Sequence, residues 1–449
     1  MEKKALLKAF IRYVTLNVCG MIGLSCYILA DTFFVSRGLG ANGLAALNLA
    51  IPVYSFVHGC GLMLGMGGAT KYAVCRAQKE FGDKKGLDAD VVYVHTLYTT
   101  AAFAAVFMLM GIFFSGRLAA FLGADAEIFD MTRTYLRVIL LFAPAFLAND
   151  SLLCFVRNDG APRLAMAAML TGSLSNIVLD YIFIFPLRMG IFGAVLATGF
   201  APVISLGVLS RHWITKQNQF RWERVKPSGR LVGTVFSLGL PSLITEAASG
   251  IVMIVFNTII LGLQGNIGVA AYGVVANLSL VVVSIYNGIA QGIQPIISRL
   301  YGYGDRRSAA RILRYAVRFM LAVSGCIYLL FWAAAPQIAG VFNSERNRQL
   351  QQIAETGLKI YFTAVPFAGF NIILSTYFIS TEKALPAQAV SLSRGLILIV
   401  PMAFLLSALF QMAGIWLSYP LTEGAVALAG AAFYKMDRYK NNRADGDGM

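Results

Sequence analysis

Twelve times along this chain an apolar run is long enough to cross a lipid bilayer, and that recurrence constrains the fold more than any other feature. A helix of about 20 residues spans a hydrocarbon core of roughly 30 Å. The runs lie near residues 11–34, 43–70, 91–114, 131–155, 164–185, 191–213, 233–262, 268–297, 312–334, 353–379, 387–410 and 413–434. They are continuous and do not alternate, so they predict helices and not barrel strands. In lipid every backbone polar group must be paired inside its own segment, which a helix achieves. The expected fold is therefore an all-α integral membrane protein with twelve transmembrane helices. Composition agrees, with 58% hydrophobic and 13% charged residues, against about 25% charged in soluble domains. The first apolar stretch is too long for a cleavable signal peptide and further spans follow it directly.

A formal net charge of +15 raises the question of nucleic acid, and the placement of the charges answers it. With a cytoplasmic N-terminus, 28 of the 37 Lys and Arg residues fall on inside segments: the N-terminal arm, the linkers after even-numbered spans and the C-terminal tail. That asymmetry is the positive-inside pattern. It predicts a multi-pass protein of the plasma membrane with both termini cytoplasmic, lipid as its surroundings and no nucleic-acid partner. The six cysteines form neither a CxxC pair nor a metal-ligand spacing, so they read as small buried hydrophobes.

The chain is also written twice. "ADTFFVSRGLGANGLAALNLA" around Asp31 lines up with "FNTIILGLQGNIGVAAYGVVA" around Asn257. Gly61-xxx-Gly65 matches Gly288-xxx-Gly292, Gly82-Asp83-Lys84-Lys85 matches Gly304-Asp305-Arg306-Arg307, and Pro144 and Asn149 match Pro366 and Asn371. The displacement, roughly 220 residues, is far beyond the 20–50 of a solenoid. Six spans per copy give both halves the same orientation, as parallel repeats about an axis along the membrane normal. The expected organisation is an N-terminal six-helix lobe over 1–213, a cytoplasmic linker over 214–232, a second lobe over 233–434 and a cytoplasmic tail over 435–449. Two such bundles leave a cleft between them, and rocking one against the other opens it to alternate sides. The glycines crowding the second span, Gly61, Gly65, Gly67 and Gly68, fit close helix approach; hinge positions are the alternative.

Ionisable residues inside membrane helices cost about 2.5–3.5 kcal/mol each on insertion scales and so point to function. Asp31, Asp180, Glu246 and Arg394 stand out. Asp31 is a cation or proton site, or else an interfacial acid near Arg37. Asn176 precedes Asp180 by one helical turn and shares its face. The pair offers two hard oxygens to a monovalent cation or a carboxyl group to a proton, and Thr198 adds a hydroxyl. Glu246, in "GLPSLITEAASG", is a candidate for holding a cationic substrate or a second proton. Arg394 either pairs with an acid or lines the cleft. Asn149 and Asp150 lie near the end of the fourth span. Gln291 and Gln294 precede Pro295, which removes a rung from the helix ladder. Aromatic residues such as Tyr54, Phe56, Tyr272 and Tyr286 are available to stack on a planar cation.

The absences narrow the function class. No GxxxxGK[ST] phosphate loop is present, no HExxH, and three histidines in all. Transport driven by an ion gradient is expected, not catalysis, with no cofactor beyond the coupling ion.

These motifs together resemble the multidrug and toxic compound extrusion (MATE) transporters, in particular a MepA-like bacterial branch. The resembling segments are "ADTFFVSRGLGANGLAALNLAIP", "NIVLDYIFIFPLRMGIFGAVLAT", "GLPSLITEAASG" and "NGIAQGIQPIIS" with Tyr301-Gly302, spread over both halves. The resemblance implies efflux of lipophilic or cationic small molecules by antiport with protons or sodium ions, through alternating access, by a protein working as a monomer. It implies an N-lobe ion site at Asp31, Asn176, Asp180 and Thr198, with Asn149 of the fourth span as a further candidate; the residues themselves make Glu246, Asn149, Gln291 and Gln294 candidates for a substrate or second-proton site. The chain departs from branches with an acidic pair in the second lobe: "YFTAVPFAGFNIILSTYF" of the tenth span carries no carboxylate, so a complete second sodium site is not expected. Three alternatives stay open. A lipid-linked precursor flippase would need a strongly cationic cleft, whereas one arginine stands here against three acids. An integral membrane enzyme would need a histidine or metal constellation. A channel would need a ring of filter residues, which duplicated, unequal halves do not form.

Overall fold

The computed structural model describes residues 3–82, 87–343 and 347–446, with the side chains of residue 41 and of residues 440–446 left out of account. Twelve spanning helices are found among the described residues. The first lobe holds α1 (Lys3–Gly40), α2 (Asn42–Glu80), α3 (Ala89–Phe113), α4 (129–158), α5 (Pro162–Ile184) and α6 (Gly190–Leu209). The second holds α7 (229–264), α8 (266–302), α9 (Arg306–Ala333), α10 (Arg348–Ser380), α11 (384–410) and α12 (412–446). This is the expected all-α membrane fold. Residues 83–86, which carry the Asp83-Lys84-Lys85 part of the repeat, and 447–449 of the tail lie outside the described residues.

The duplication extends to backbone angles. Chain direction reverses between α1 and α2 at Gly40 (φ 68°, ψ −158°) and between α7 and α8 at Gly265 (φ 62°, ψ −158°). A side chain rarely adopts these angles, so glycine stands at both turns. The α11–α12 turn uses Gln411 at φ 52°. α4 bends by 48° where Ala143-Pro144 restarts it, because proline removes a donor and suits a first helical turn. Polar caps set other starts: Asp88, Asp305 and Asn347 each accept from a backbone N–H in the first turn of α3, α9 and α10. Pro295 removes one rung from α8, yet the helix runs on to Gly302.

Each bundle turns large apolar side chains outward, among them Phe113, Leu329, Phe410 and Leu428. Such outer faces suit lipid. Cys19, Cys26 and Cys326 are exposed on these faces; Cys60, Cys75 and Cys154 are buried as expected. The lobes meet where small residues let backbones touch. A Cβ on Gly239 of α7 would lie 1.8 Å from the Met63 carbonyl oxygen of α2, and one on Gly67 would lie 2.0 Å from the Val235 carbonyl oxygen. Gly288 and Gly292 of α8 meet the α1 backbone at Val18 and Val14 in the same way. The α2 glycines therefore serve close approach.

The loop between the lobes is extended over 217–228 and tied to the first lobe. Asp159, at the end of α4, accepts from the Gln219 backbone at 2.8 Å and from Tyr72 at 3.1 Å. It also pairs with Arg76 at 2.7 Å and His212 at 2.8 Å. Asp90 accepts from the Arg221 backbone and His95 Nε2 from the Ser228 backbone.

Candidate functional site

Three polar centres lie within the spans. The first is in the N-lobe. Asp31 on α1, Asn176 and Asp180 on α5 and Thr198 on α6 are buried, with Asn176 and Asp180 at 0% exposure. Arg37 leaves Asp31 alone and lies over the Phe33 ring instead, so Asp31 is not an interfacial acid. The two carboxylates are close enough for the Asp31 charge to act on Asp180. No base pairs with either among the described residues, and Oδ1 of each is buried without a hydrogen-bond partner. Asn176, oriented by its hydrogen-bond network, donates to Asp180 Oδ2 at 3.0 Å and accepts from the Thr198 backbone N–H at 3.2 Å. The Thr198 hydroxyl donates to the Ala194 carbonyl at 3.2 Å and is also hydrogen-bonded to Tyr135 of α4. Tyr135 of α4 and Tyr27 of α1 also feel both carboxylates. The four residues matched from the sequence are thus brought together from three helices. Asn149 makes no hydrogen bond to them; its Oδ1 is buried without a partner beside Asp150.

The second centre is the cleft between the lobes, with a volume of about 60 Å³. Leu62 and Met66 of α2 form one wall; Glu246, Gln291, Thr376 and Arg394 belong to the other. Gln294 is turned away from this space. Fully buried, it donates to Thr70 of α2 at 2.9 Å and accepts from Asn158 of α4 at 2.8 Å. Arg157, 2% exposed, reaches the Gln291 carbonyl at 3.5 Å. Nearby, Lys71 pairs with Glu382 at 2.8 Å, and Glu80 takes Arg299 at 3.1 Å and Tyr303. Among the described residues, the hydrogen bonds between lobes all lie toward the end bearing the 217–228 linker, so the lobes are latched there.

Gln294 is therefore a latch residue and not a cleft residue. Gln294→Leu strips partners from Thr70 and Asn158, at about 1–3 kcal/mol for buried groups left unpaired. We expect a longer-distance population between spin labels on Leu87→Cys and Arg307→Cys, both exposed at the linker end. An unchanged distance distribution would count against the latch.

The third centre lies outside the sequence expectations. Glu423 of α12 is 1% exposed and pairs with Arg394 Nη2 at 2.7 Å, while Asn371 of α10 donates to its Oε2 at 2.7 Å. Tyr361 and Tyr419 stack beside it, 4.4 Å apart. Arg394 sits in a π-helical stretch, Ser393–Ile397, a local widening that often marks functional positions. Glu423 thus gives the second lobe a buried carboxylate besides Glu246, on its last helix and not in the central part of its fourth. It is neutralised by an arginine, so it differs from the first lobe's bare acid pair. The count of one arginine against three acids is corrected as well, since Arg157, Asp150, Asp159 and Glu423 are also buried. Glu423 lies mid-run in "IWLSYPLTEGAVALAG", and a lone charge amid such a run is the signal that marks it. Among the described residues no His, Cys, Asp and Glu group is placed to hold a metal.

The same architecture occurs in solved structures. An outward-facing multidrug resistance MATE family transporter of the MOP superfamily superposes with a TM-score of 0.89 at 23% identity, covering 97% of this chain and 96% of that one. A MOP superfamily transporter from Pyrococcus furiosus gives 0.87 at 24% identity, covering 96% and 95%. The multidrug export proteins MepA of Staphylococcus saprophyticus and Staphylococcus aureus are 24% identical over 431 residues, 95% of this chain and 93% of theirs. The family model MatE matches the chain twice, over residues 18–182 and again over 241–405. With both copies of the repeat matched, the chain belongs to the MatE family.

Proposed function

We propose that the protein is a secondary exporter of lipophilic, cationic small molecules, driven by protons or sodium ions entering at Asp31 and Asp180. It is a transporter and not an enzyme. The observation that carries the proposal is the pair of buried carboxylates with no base beside them and one oxygen each unpartnered. Two like charges in a low-dielectric pocket are not sustained together. Such a pocket takes up a proton or a monovalent cation, and discharging it alters how α1, α5 and α6 pack. The Asn176 amide bears on both ions. With its nitrogen toward Asp180 it makes a hydrogen bond; turned over, it presents an oxygen that a sodium ion would bridge to the carboxylate.

In the cycle, substrate enters the cleft from the cytoplasm or the inner leaflet when the linker end is open. The ion arrives from outside and its binding favours release. Linkage makes the effect reciprocal: ion and substrate each weaken the other's hold. Two curated relatives bear the name multidrug export protein, which supports this substrate class. The positive-inside charge pattern supports cytoplasmic termini.

The test is ethidium efflux from drug-sensitive cells expressing the protein. Collapsing the driving ion's gradient, proton or sodium, is expected to stop efflux, while collapsing the other leaves it running. Efflux that persists with both gradients collapsed would overturn ion coupling.

A further inference from the structure

At the boundary between the lobes lies a second titratable cluster, separate from the Asp31–Asp180 pair. His58 of α2 meets Asp150 of α4, Nδ1 to Oδ2, at 2.9 Å. The side chains are 18% and 7% exposed, so the pair is largely withdrawn from water. Glu246 of α7, in the opposite lobe, acts electrostatically on both residues. The two glycines that follow His58, Gly59 and Gly61, make this convergence possible. A Cβ at Gly59 would lie 3.1 Å from the Glu246 Cβ, and one at Gly61 would lie 2.6 Å from Asp150 Oδ2. Glu246 also lines the cleft.

We propose that His58, paired with Asp150 and faced by Glu246 across the lobe boundary, is a proton site that a cationic substrate empties from the cleft. The inference rests on the cation-export reading above and adds a second place where antiport is enforced.

The charges supply the reason. With an imidazolium, His58, Asp150 and Glu246 sum to one negative charge; with a neutral ring, to two. A cation bound at Glu246 is attracted to the doubly negative cluster and repelled by the imidazolium. The proton and the substrate therefore compete for the same negative charge without touching the same atoms. Other charged or titratable groups face the cluster from each side. Tyr54, one turn away on α2, stacks on the His58 ring at 6.1 Å and 1°. Its hydroxyl bonds to Tyr27 of α1 at 2.8 Å. Cys154 lies one turn beyond Asp150 on α4, and Arg394 of α11 stands on the far side of the cleft. Tyr27 in turn feels Asp31, Asp180 and Asp150. The hydrogen-bonded tyrosine pair thus stacks on His58 at one end and feels the Asp31 and Asp180 charges at the other.

The chain has three histidines, His58, His95 and His212. The experiment is a 15N-histidine NMR titration of the purified full chain, with the His58 signal assigned by its loss in His58→Asn. Asp150→Asn should move the His58 midpoint to lower pH, since the neighbouring negative charge is gone. Saturating ethidium should lower the wild-type midpoint too, and Glu246→Gln should abolish most of that response. A midpoint unmoved by Asp150→Asn overturns the proposal. So does a wild-type midpoint unmoved by ethidium, whether ethidium binds silently or not at all. The titration measures no transport, so it separates this site from the Asp31–Asp180 reading. Protein carrying both Asp31→Asn and Asp180→Asn should lose export yet keep the ethidium-dependent shift at His58.

Discussion

Asp31→Asn and Asp180→Asn are each expected to bring ethidium efflux down about tenfold or more, toward the level of cells lacking the protein. The size follows from linkage: coupling free energies of roughly 1–3 kcal/mol correspond to about 5- to 150-fold changes in affinity. An amide matches the shape of the carboxylate but neither takes up a proton nor offers a charge to sodium. Folding should survive, because Oδ1 of each acid has no partner to lose and one of two crowded negative charges disappears. Expression and the melting temperature in detergent should therefore equal or exceed those of the wild type. In Asp180→Asn the new amide oxygen would keep a contact with Asn176, whose amide nitrogen faces that position. Wild-type efflux by both variants would refute the ion site. Lost efflux together with lost folding would instead assign the two acids to structure alone.

The second large effect concerns stability. Arg394→Gln leaves Glu423 charged and 1% exposed, with Asn371 as its remaining partner. Removing one member of a buried ion pair costs about 3–5 kcal/mol, most of it the cost of the charge left behind. Glu423→Gln should cost less. The Arg394 side chain is 10% exposed and borders the cleft, so the cation left behind can reach water. The double variant should recover much of the loss, since two amides need no counter-charge. Melting temperatures of the four proteins in one detergent check the order: wild type highest, Arg394→Gln lowest. If Arg394→Gln melts no lower than Glu423→Gln, the account of this pair is wrong. The pair also explains why the lobes differ chemically despite their common origin. The first lobe keeps Asp31 and Asp180 bare, whereas in the second Arg394 neutralises Glu423 and Glu246 borders the cleft.

Much of the N-lobe site was legible because its residues follow helix periodicity. Asn176 and Asp180 are one turn apart on one helix, and a carboxylate inside an apolar run is conspicuous at Asp31 and Asp180 alike. The pairing of His58 with Asp150 was not legible. The two residues are 92 positions apart on different helices, and although Asp150 stands out as an acid within its span, nothing in the sequence joins it to His58. Gln294 shows a subtler limit. Its place in an amide-bearing stretch resembles that of Gln291, but three residues along a helix turn a side chain by nearly a full turn and shift it along the axis. One amide borders the cleft and the other latches the lobes.

From the sequence alone followed the number of spans and the duplication, and the structure added that glycine stands at both matching turns, Gly40 and Gly265. Each depends on local chemistry: backbone groups must be paired in lipid, and left-handed turns favour a residue without a Cβ. Which charges meet was decided by the tertiary structure. Packing helices from distant parts of the chain leaves Asp31 and Asp180 without a base, gives Glu423 its arginine, and sets His58 between acids of two lobes. Electrostatic partnership depends on distance through a low-dielectric interior, and the order of residues along the chain does not specify that distance.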